Sequence, residues 1–218
     1  MKLAVQAAGK GQVVIGSFQG TRNNSGGGQA FVKDYALAAC LVKETGAKIL
    51  EANLSCPNEC STNLVCFDVS QVQKIAKAIK EEIGDTPLIL KCAYFESDEH
   101  LLRLIKAVGS LVQGIATINT IPAKIIMAQG QQALPGLGRL TSGICGAGIK
   151  WAGLDMVKRL YQFRTKLSQH FAIIGVGGVA STQDYREYLQ AGADAVMSAT
   201  GAMWNPKLAQ EILEGGKK

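Results

Sequence analysis

The chain has 218 residues, a formal net charge of +6, 47% apolar residues and 18% charged ones. That balance excludes a disordered polymer and leaves enough chain for a sizeable core. No apolar run reaches the length of a membrane span, and the basic residues are scattered instead of forming a stripe interleaved with aromatics, so neither a membrane nor a nucleic acid is an expected partner.

The opening, "MKLAVQAAGKGQ", lacks the long apolar stretch and small-residue cleavage site of a secretory signal. Cys40, Cys56, Cys60, Cys66, Cys92 and Cys145 are therefore expected to be reduced thiols in a cytoplasmic protein. The spacing Cys56-x3-Cys60-x5-Cys66 raises a metal site, but it matches none of the common zinc or iron–sulfur spacings, and no metal is expected.

A first strand is expected in "QVVIGSF" (12–18), followed by a loop over 19–28, "QGTRNNSGGG", flexible by composition. A second strand lies in "AKILEANLS" (47–55). It runs into Cys56, Pro57 and Asn58, where proline prevents easy continuation as strand or helix. In 69–83, Val72, Ile75, Ala76, Ile79 and Ile83 recur at three and four residues, and Gly84 stops the helix. "PLILKCA" (87–93) is the third strand, and Leu101, Leu102, Ile105 and Val108 mark a helix over 99–108.

"GIATINT" (114–120) is the fourth strand. The long stretch 121–148 after it, containing "LPGLGRLTSGICGAG", reads as a lid or binding loop. "AIIGVGG" (172–178) is the fifth strand. Ser181 or Thr182 then caps a helix carrying Tyr185 and Leu189, and "AVMSAT" (195–200) is the sixth strand. Each strand is short, apolar on both faces and bounded by turn signals, and helices lie between them. That pattern predicts an α/β fold with a parallel sheet and helices outside. With no linker or break in composition, one domain over 1–218 is expected.

Polar and glycine residues gather where these strands end: Asn53, Ser55, Cys56 and Asn58, then Lys91, then Asn119 and Thr120, then Gly177 and Gly178, then Ala199 and Thr200. In parallel α/β folds ligands sit at the carboxyl ends of the strands, so these residues are candidates for one rim. Gly177 and Gly178 read either as a backbone cradle for a phosphate or as tight turns needing positive φ. Lys91 reads either as a ligand contact or as a rim side chain reaching solvent. Cys56 reads either as a packed thiol or as an exposed one able to act as a base. His100 and His170 have no serine or acid arranged near them in sequence and read as surface residues.

Five stretches in this order, "NLSCPN" (53–58), "PLILK" (87–91), "INT" (118–120), "IIGVGGV" (173–179) and "AGADAVMSATGA" (191–202), resemble dihydroorotate dehydrogenases. The cysteine in the first motif is similar to the soluble class 1 enzymes; the membrane-associated class usually has serine there. The resemblance implies a TIM (β/α)8-type barrel, FMN as cofactor, a small dihydropyrimidine as substrate and a homo-oligomer, such as a dimer. It implies oxidation of dihydroorotate to orotate in pyrimidine biosynthesis. Cys56 would be the base, and Asn53, Asn58, Asn119 and Thr120 would hold the substrate. Asn53, Lys91, Ile118, Gly146, Gly177, Gly178, Ala199 and Thr200 would contact FMN. The family more often has serine where Thr120 stands.

The chain departs from the family in two ways. Its members are longer, and their first two barrel strands carry further ligand contacts, including a second lysine. Here six strands are expected, corresponding to strands three to eight, and six cannot close an eight-stranded barrel. The resemblance thus implies an incomplete barrel that is a fragment, pairs with a missing piece or is a decayed relative. Cys60 and Cys66 also stand where the family carries other residues. Two other functions stay open: oxidoreduction of a related dihydropyrimidine, and a catalytically inactive barrel fragment serving as a binding or assembly partner.

Overall fold

Apolar runs that need cover on both faces become parallel strands with helices on one side. This is seen in a computed structural model that describes residues 1–22, 27–56 and 64–215. The strands are β1 (Ile15–Phe18), β2 (Ile49–Asn53), β3 (Leu88–Cys92), β4 (Gly114–Thr117), β5 (Ile121–Lys124), β6 (Thr141–Ile144), β7 (Ala172–Val176) and β8 (Ala195–Met197). The helices are α1 (Lys2–Ala7), α2 (Gly27–Lys43), α3 (Val69–Ile83), α4 (Asp98–Val108), α5 (Lys150–Lys166), α6 (Thr182–Gln190), α7 (Thr200–Trp204) and α8 (Leu208–Gly215). Six strands form one curled parallel sheet in the order β1-β2-β3-β4-β7-β8, a half-barrel. Among the described residues β1 and β8 are its two edges.

The two faces of the sheet bury different layers. Leu50 and Ala52 of β2 with Leu54 just beyond its end, Leu88, Leu90 and Cys92 of β3, and Ile115 and Ile173 join the core beneath the helices. On the other face Ile89, Ala116 and Ile174 pack together, with Ile15, Ile49, Ala172, Val176 and Met197 against them. Because side chains alternate along a strand, Glu51, Asn53 and Lys91 belong to this inner face. The outer helices pack in series, α2 on α3, α3 on α4, α4 on α5 and α5 on α6.

Local chemistry sets the helix limits. The Asp68 carboxylate accepts from Gln71 N at the start of α3, and Gly84, with φ of 60°, ends it. Ser97 caps α4 and Ser181 caps α6 in the same way. Val72, Ile75, Ala76, Ile79 and Ile83 of α3 are buried as the periodicity requires. Each of the valine and isoleucine side chains contributes about 1.5–3 kcal/mol relative to exposure.

Four expectations are corrected here. On α4 the inward set includes Leu104, while Leu102 is only partly buried. On α6 the inward residue is Tyr188, with Tyr185 partly exposed and Leu189 38% exposed. The stretch 121–148 is not structureless, since β5 and β6 pair antiparallel within it and a 3-10 turn at Gly146–Ile149 leads into α5. The expected loop over 19–28 is also cut short, because α2 already begins at Gly27.

Candidate functional site

The site begins where β2 ends. Asn53 is the last strand residue, paired in register with Lys91 of β3, and Lys91 is paired with Ala116 of β4. Leu54 then turns under the helices, fully buried, and its backbone closes the corner: Leu54 N donates to Lys91 O and Cys66 N donates to Leu54 O. Tyr35 of α2 donates its hydroxyl to the Asn53 carbonyl at 2.7 Å. These anchors leave the Asn53 side chain on the inner face, where Oδ1 accepts from Ser55 N at 3.2 Å and from Asn119 Nδ2 at 3.3 Å. Asn119 Nδ2 also donates to the Ser55 carbonyl at 2.9 Å. Residues far apart in sequence thus share one hydrogen-bonded cluster at the carboxyl ends of β2, β3 and β4.

Asn119 also lines a second feature. A cleft of about 360 Å³ is walled by Asn119, Gly146, Gly177, Gly178, Ala199 and Thr200, together with Cys145, Ser198, Trp204 and others. Two backbones come close at its floor. Gly178 has φ of 69°, and a Cβ there would stand 2.6 Å from Lys150 Cβ, so both conformation and space select glycine. At Gly201 a Cβ would stand 2.1 Å from the Val179 carbonyl oxygen, so α7 can approach the "GVGG" turn only without a side chain. Lys150 beside this turn is paired with Asp184 and with Glu187 (2.7 Å to the latter). Those two partners, Asp184 first, raise its pKa.

The remaining candidates are placed as follows. Cys56 is half-buried next to fully buried Ser55 and is a free thiol. The Ile118 side chain is buried in the core beneath the helices, and its N–H donates to Val176 O at 3.0 Å. Thr120 lies against Gly143 of β6 and lines a different, larger groove with Tyr94, His100 and Pro122. Pro57, Asn58 and Cys60, with the rest of residues 57–63, lie outside the described residues. His100 sits against the Phe67 and Phe95 rings and bonds the Phe67 carbonyl at 2.7 Å.

Sequence reasoning missed two residues beside the site. Glu51 is 4% exposed on the inner face, where its Oε1 lies 3.5 Å from Lys91 Nζ. An acid inside an apolar strand, two positions before Asn53 and so on the same face, was the available signal. Tyr188, fully buried, donates its hydroxyl to the Gly177 carbonyl at 2.7 Å. Burial raises its pKa, with nearby Asp184 adding to the effect. Its ring fills the space left by Gly153 and Gly175, and those two glycines were the signal for it.

Comparison with known proteins points to one family. The sequence profile described as dihydroorotate dehydrogenase matches residues 8–217. The chain is 33% identical over 214 residues to a dihydroorotate dehydrogenase of Dictyostelium discoideum, which covers 96% of this chain and 57% of that protein. It is 32% identical over 188 residues to the catalytic subunit of dihydroorotate dehydrogenase B (NAD(+)) of Thermodesulfovibrio yellowstonii, covering 85% of this chain and 59% of that one. A like-named subunit of Desulforamulus reducens is 30% identical, with 84% and 57% covered. The chain therefore spans less than two thirds of the length of these relatives. A profile match along almost the whole chain, on a half-barrel whose strand ends gather the motif residues, makes this chain a member of the dihydroorotate dehydrogenase family.

Proposed function

We propose that the chain, as one domain over 1–218, binds FMN at the carboxyl ends of its strands and serves in the oxidation of dihydroorotate to orotate in pyrimidine biosynthesis. The observation that carries this reading is the continuity of the site. The Asn53–Ser55–Asn119 hydrogen-bond cluster, with Lys91 beside Asn53 in register, runs through Asn119 into the glycine-walled cleft.

The residues present fit FMN. Gly146, Gly177 and Gly178 leave backbone N–H groups uncovered by side chains, and with Ala199 and Thr200 they suit a phosphate. Lys91, with its side chain 23% exposed, suits a ring that becomes anionic on reduction. The backbone of Ile118 lies between this cation and the cleft in sequence order. When bound, FMN would supply the hydride acceptor.

The chain's own residues do the rest. Asn53 and Asn119, held in fixed orientation by their mutual hydrogen bond, present amides to the substrate together with Asn58, while Thr120, on the other groove, is not part of this set. Cys56 Sγ takes the proton from C5 of dihydroorotate as hydride leaves C6, so that one C–H bond breaks on each carbon and the double bond of orotate forms between them. Placing the base next to Ser55 keeps it beside the amide cluster.

Cytoplasmic residence belongs to the same proposal and is supported by the free thiols of Cys40, Cys56, Cys66, Cys92 and Cys145. No helix among the described residues is long and apolar enough to cross a membrane. A homo-oligomer, most simply a dimer, is supported by the open sheet edges at β1 and β8.

The test is flavin uptake followed by substrate. The purified chain is expected to retain FMN on desalting and to lose the oxidised-flavin absorbance when dihydroorotate is added without oxygen. Dihydrouracil is expected to leave it unchanged. Cys56→Ala is expected to keep FMN and lose bleaching. Failure of the parent chain to take up FMN removes the proposal, and bleaching by dihydrouracil alone reassigns the substrate.

A further inference from the structure

The cation of the site has its own anchor. Glu51 stands on the inner face of β2, beside Ile89 in register, and is 4% exposed. Its Oε1 accepts from the Ser17 hydroxyl of β1 at 2.8 Å and lies 3.5 Å from Lys91 Nζ. Its Oε2 is buried with no hydrogen-bond partner among the described residues. The inner layer next to it is made of Ile49, Ile89 and Ala116, none of which can solvate a charge. An ionised carboxylate persists in such a place only when paired, and Lys91 is the cation within reach.

We propose that Glu51 is a positioning residue for Lys91. Ser17 fixes the carboxylate, and the carboxylate tethers the ammonium at the end of β3. One ammonium N–H then faces Glu51, and the others remain available toward the rim. Three adjacent strands thus set one charge: β1 through Ser17, β2 through Glu51 and β3 through Lys91. The benefit for flavin binding rests on the FMN reading above; the tether itself does not.

Two measurements separate these. In the flavin-free chain, limiting acetylation with acetic anhydride is followed by peptide mass spectrometry, with exposed Lys74, Lys77 and Lys106 as internal standards. In Glu51→Gln, Lys91 is expected to react roughly tenfold faster, the size of one charge-assisted hydrogen bond, while the standards are unchanged. Ser17→Ala, which keeps the carboxylate but frees it, is expected to give a smaller rise and decides the matter if Glu51→Gln does not fold. In FMN titrations Glu51→Gln is expected to weaken binding in the parent but not in a Lys91→Met background; a purely structural Glu51 weakens it equally in both. Unchanged Lys91 acetylation in both variants overturns the tether. Faster acetylation in a chain that takes up no FMN upholds the tether and overturns the flavin reading.

Discussion

Cys56, Cys66 and Cys92 are one functional group in three settings. Burial pushes the Cys66 thiol up to about 12. Burial also raises Cys92 well above the usual thiol value, with neighbouring Cys66 and Glu51 adding to the effect. Neither forms a useful thiolate at neutral pH, and nucleophilicity follows the thiolate. Cys56 is half-buried and Cys145 exposed. Brief treatment of the folded chain with iodoacetamide at neutral pH is therefore expected to modify Cys145 and Cys56 and to spare Cys66 and Cys92 until the chain is unfolded. Peptide mapping that finds Cys66 or Cys92 alkylated as fast as Cys56 in the folded chain contradicts these burial assignments, and protection of Cys56 removes it as the base.

At the scale of an element, α6 holds the glycine turn. The helix buries a single side chain, Tyr188, which bonds the Gly177 carbonyl. It is tied to α5 through Lys150, which meets both Asp184 and Glu187. Partial burial pulls the Asp184 carboxyl upward, but hydrogen bonds from Lys150, Ala180 N and Ser181 outweigh it and leave the pKa below the usual carboxylate value. A carboxyl depressed on folding stabilises the fold above its unfolded pKa, and that stabilisation disappears as pH falls through the carboxylate range. The raised lysine acts at the other end, its contribution fading only as pH climbs past the ordinary lysine range. Stability measured by urea unfolding is thus expected to fall on acidification, with a shallower slope in Asp184→Asn. An unchanged slope means that this contact carries no acid dependence. Tyr188→Phe is expected to cost about 1 kcal/mol, the value of one hydrogen bond.

At the scale of the molecule, the sheet is open. β1 and β8 each pair on one side only among the described residues. Apolar side chains lie exposed on the helices next to them in sequence: Leu37 and Leu41, one turn apart on α2, are 57% and 55% exposed, and Met203, Trp204 and Leu213 on α7 and α8 are 84%, 86% and 70% exposed. Unpaired strand edges and clustered apolar residues favour association. Sedimentation velocity is expected to show concentration-dependent self-association of the purified chain, reduced when Leu37 and Leu41 are both replaced by Lys. A monomer at every concentration rules out the proposed homo-oligomer.

The strands of the sheet and the α3, α4 and α6 signals were legible in the sequence because they are local. Apolar runs such as "PLILK" predict strands buried on both faces, the three-and-four spacing in 69–83 predicts a buried helix face, and Ser181 caps its own helix turn. The motif residues and the family were also legible, since "NLSCPN" and "GVGG" carry their chemistry in adjacent positions. Pairing was not legible. Glu51 and Lys91 meet only because β2 and β3 align Asn53 with Lys91, and no local feature sets a register across that separation. The β5–β6 hairpin joins "IPAK" to "TSGI", segments too polar and too distant to announce a strand pair. Tyr188 instead of Tyr185 or Leu189 faces inward because Gly153 and Gly175, on two other elements, leave room for its ring. By itself the sequence determined the six strands of the sheet and which chemical groups stand at their ends, since those depend on neighbours along the chain. Only the tertiary structure decided which charge meets which and which side chains fill which gaps, because those contacts exist only once distant strands are in register.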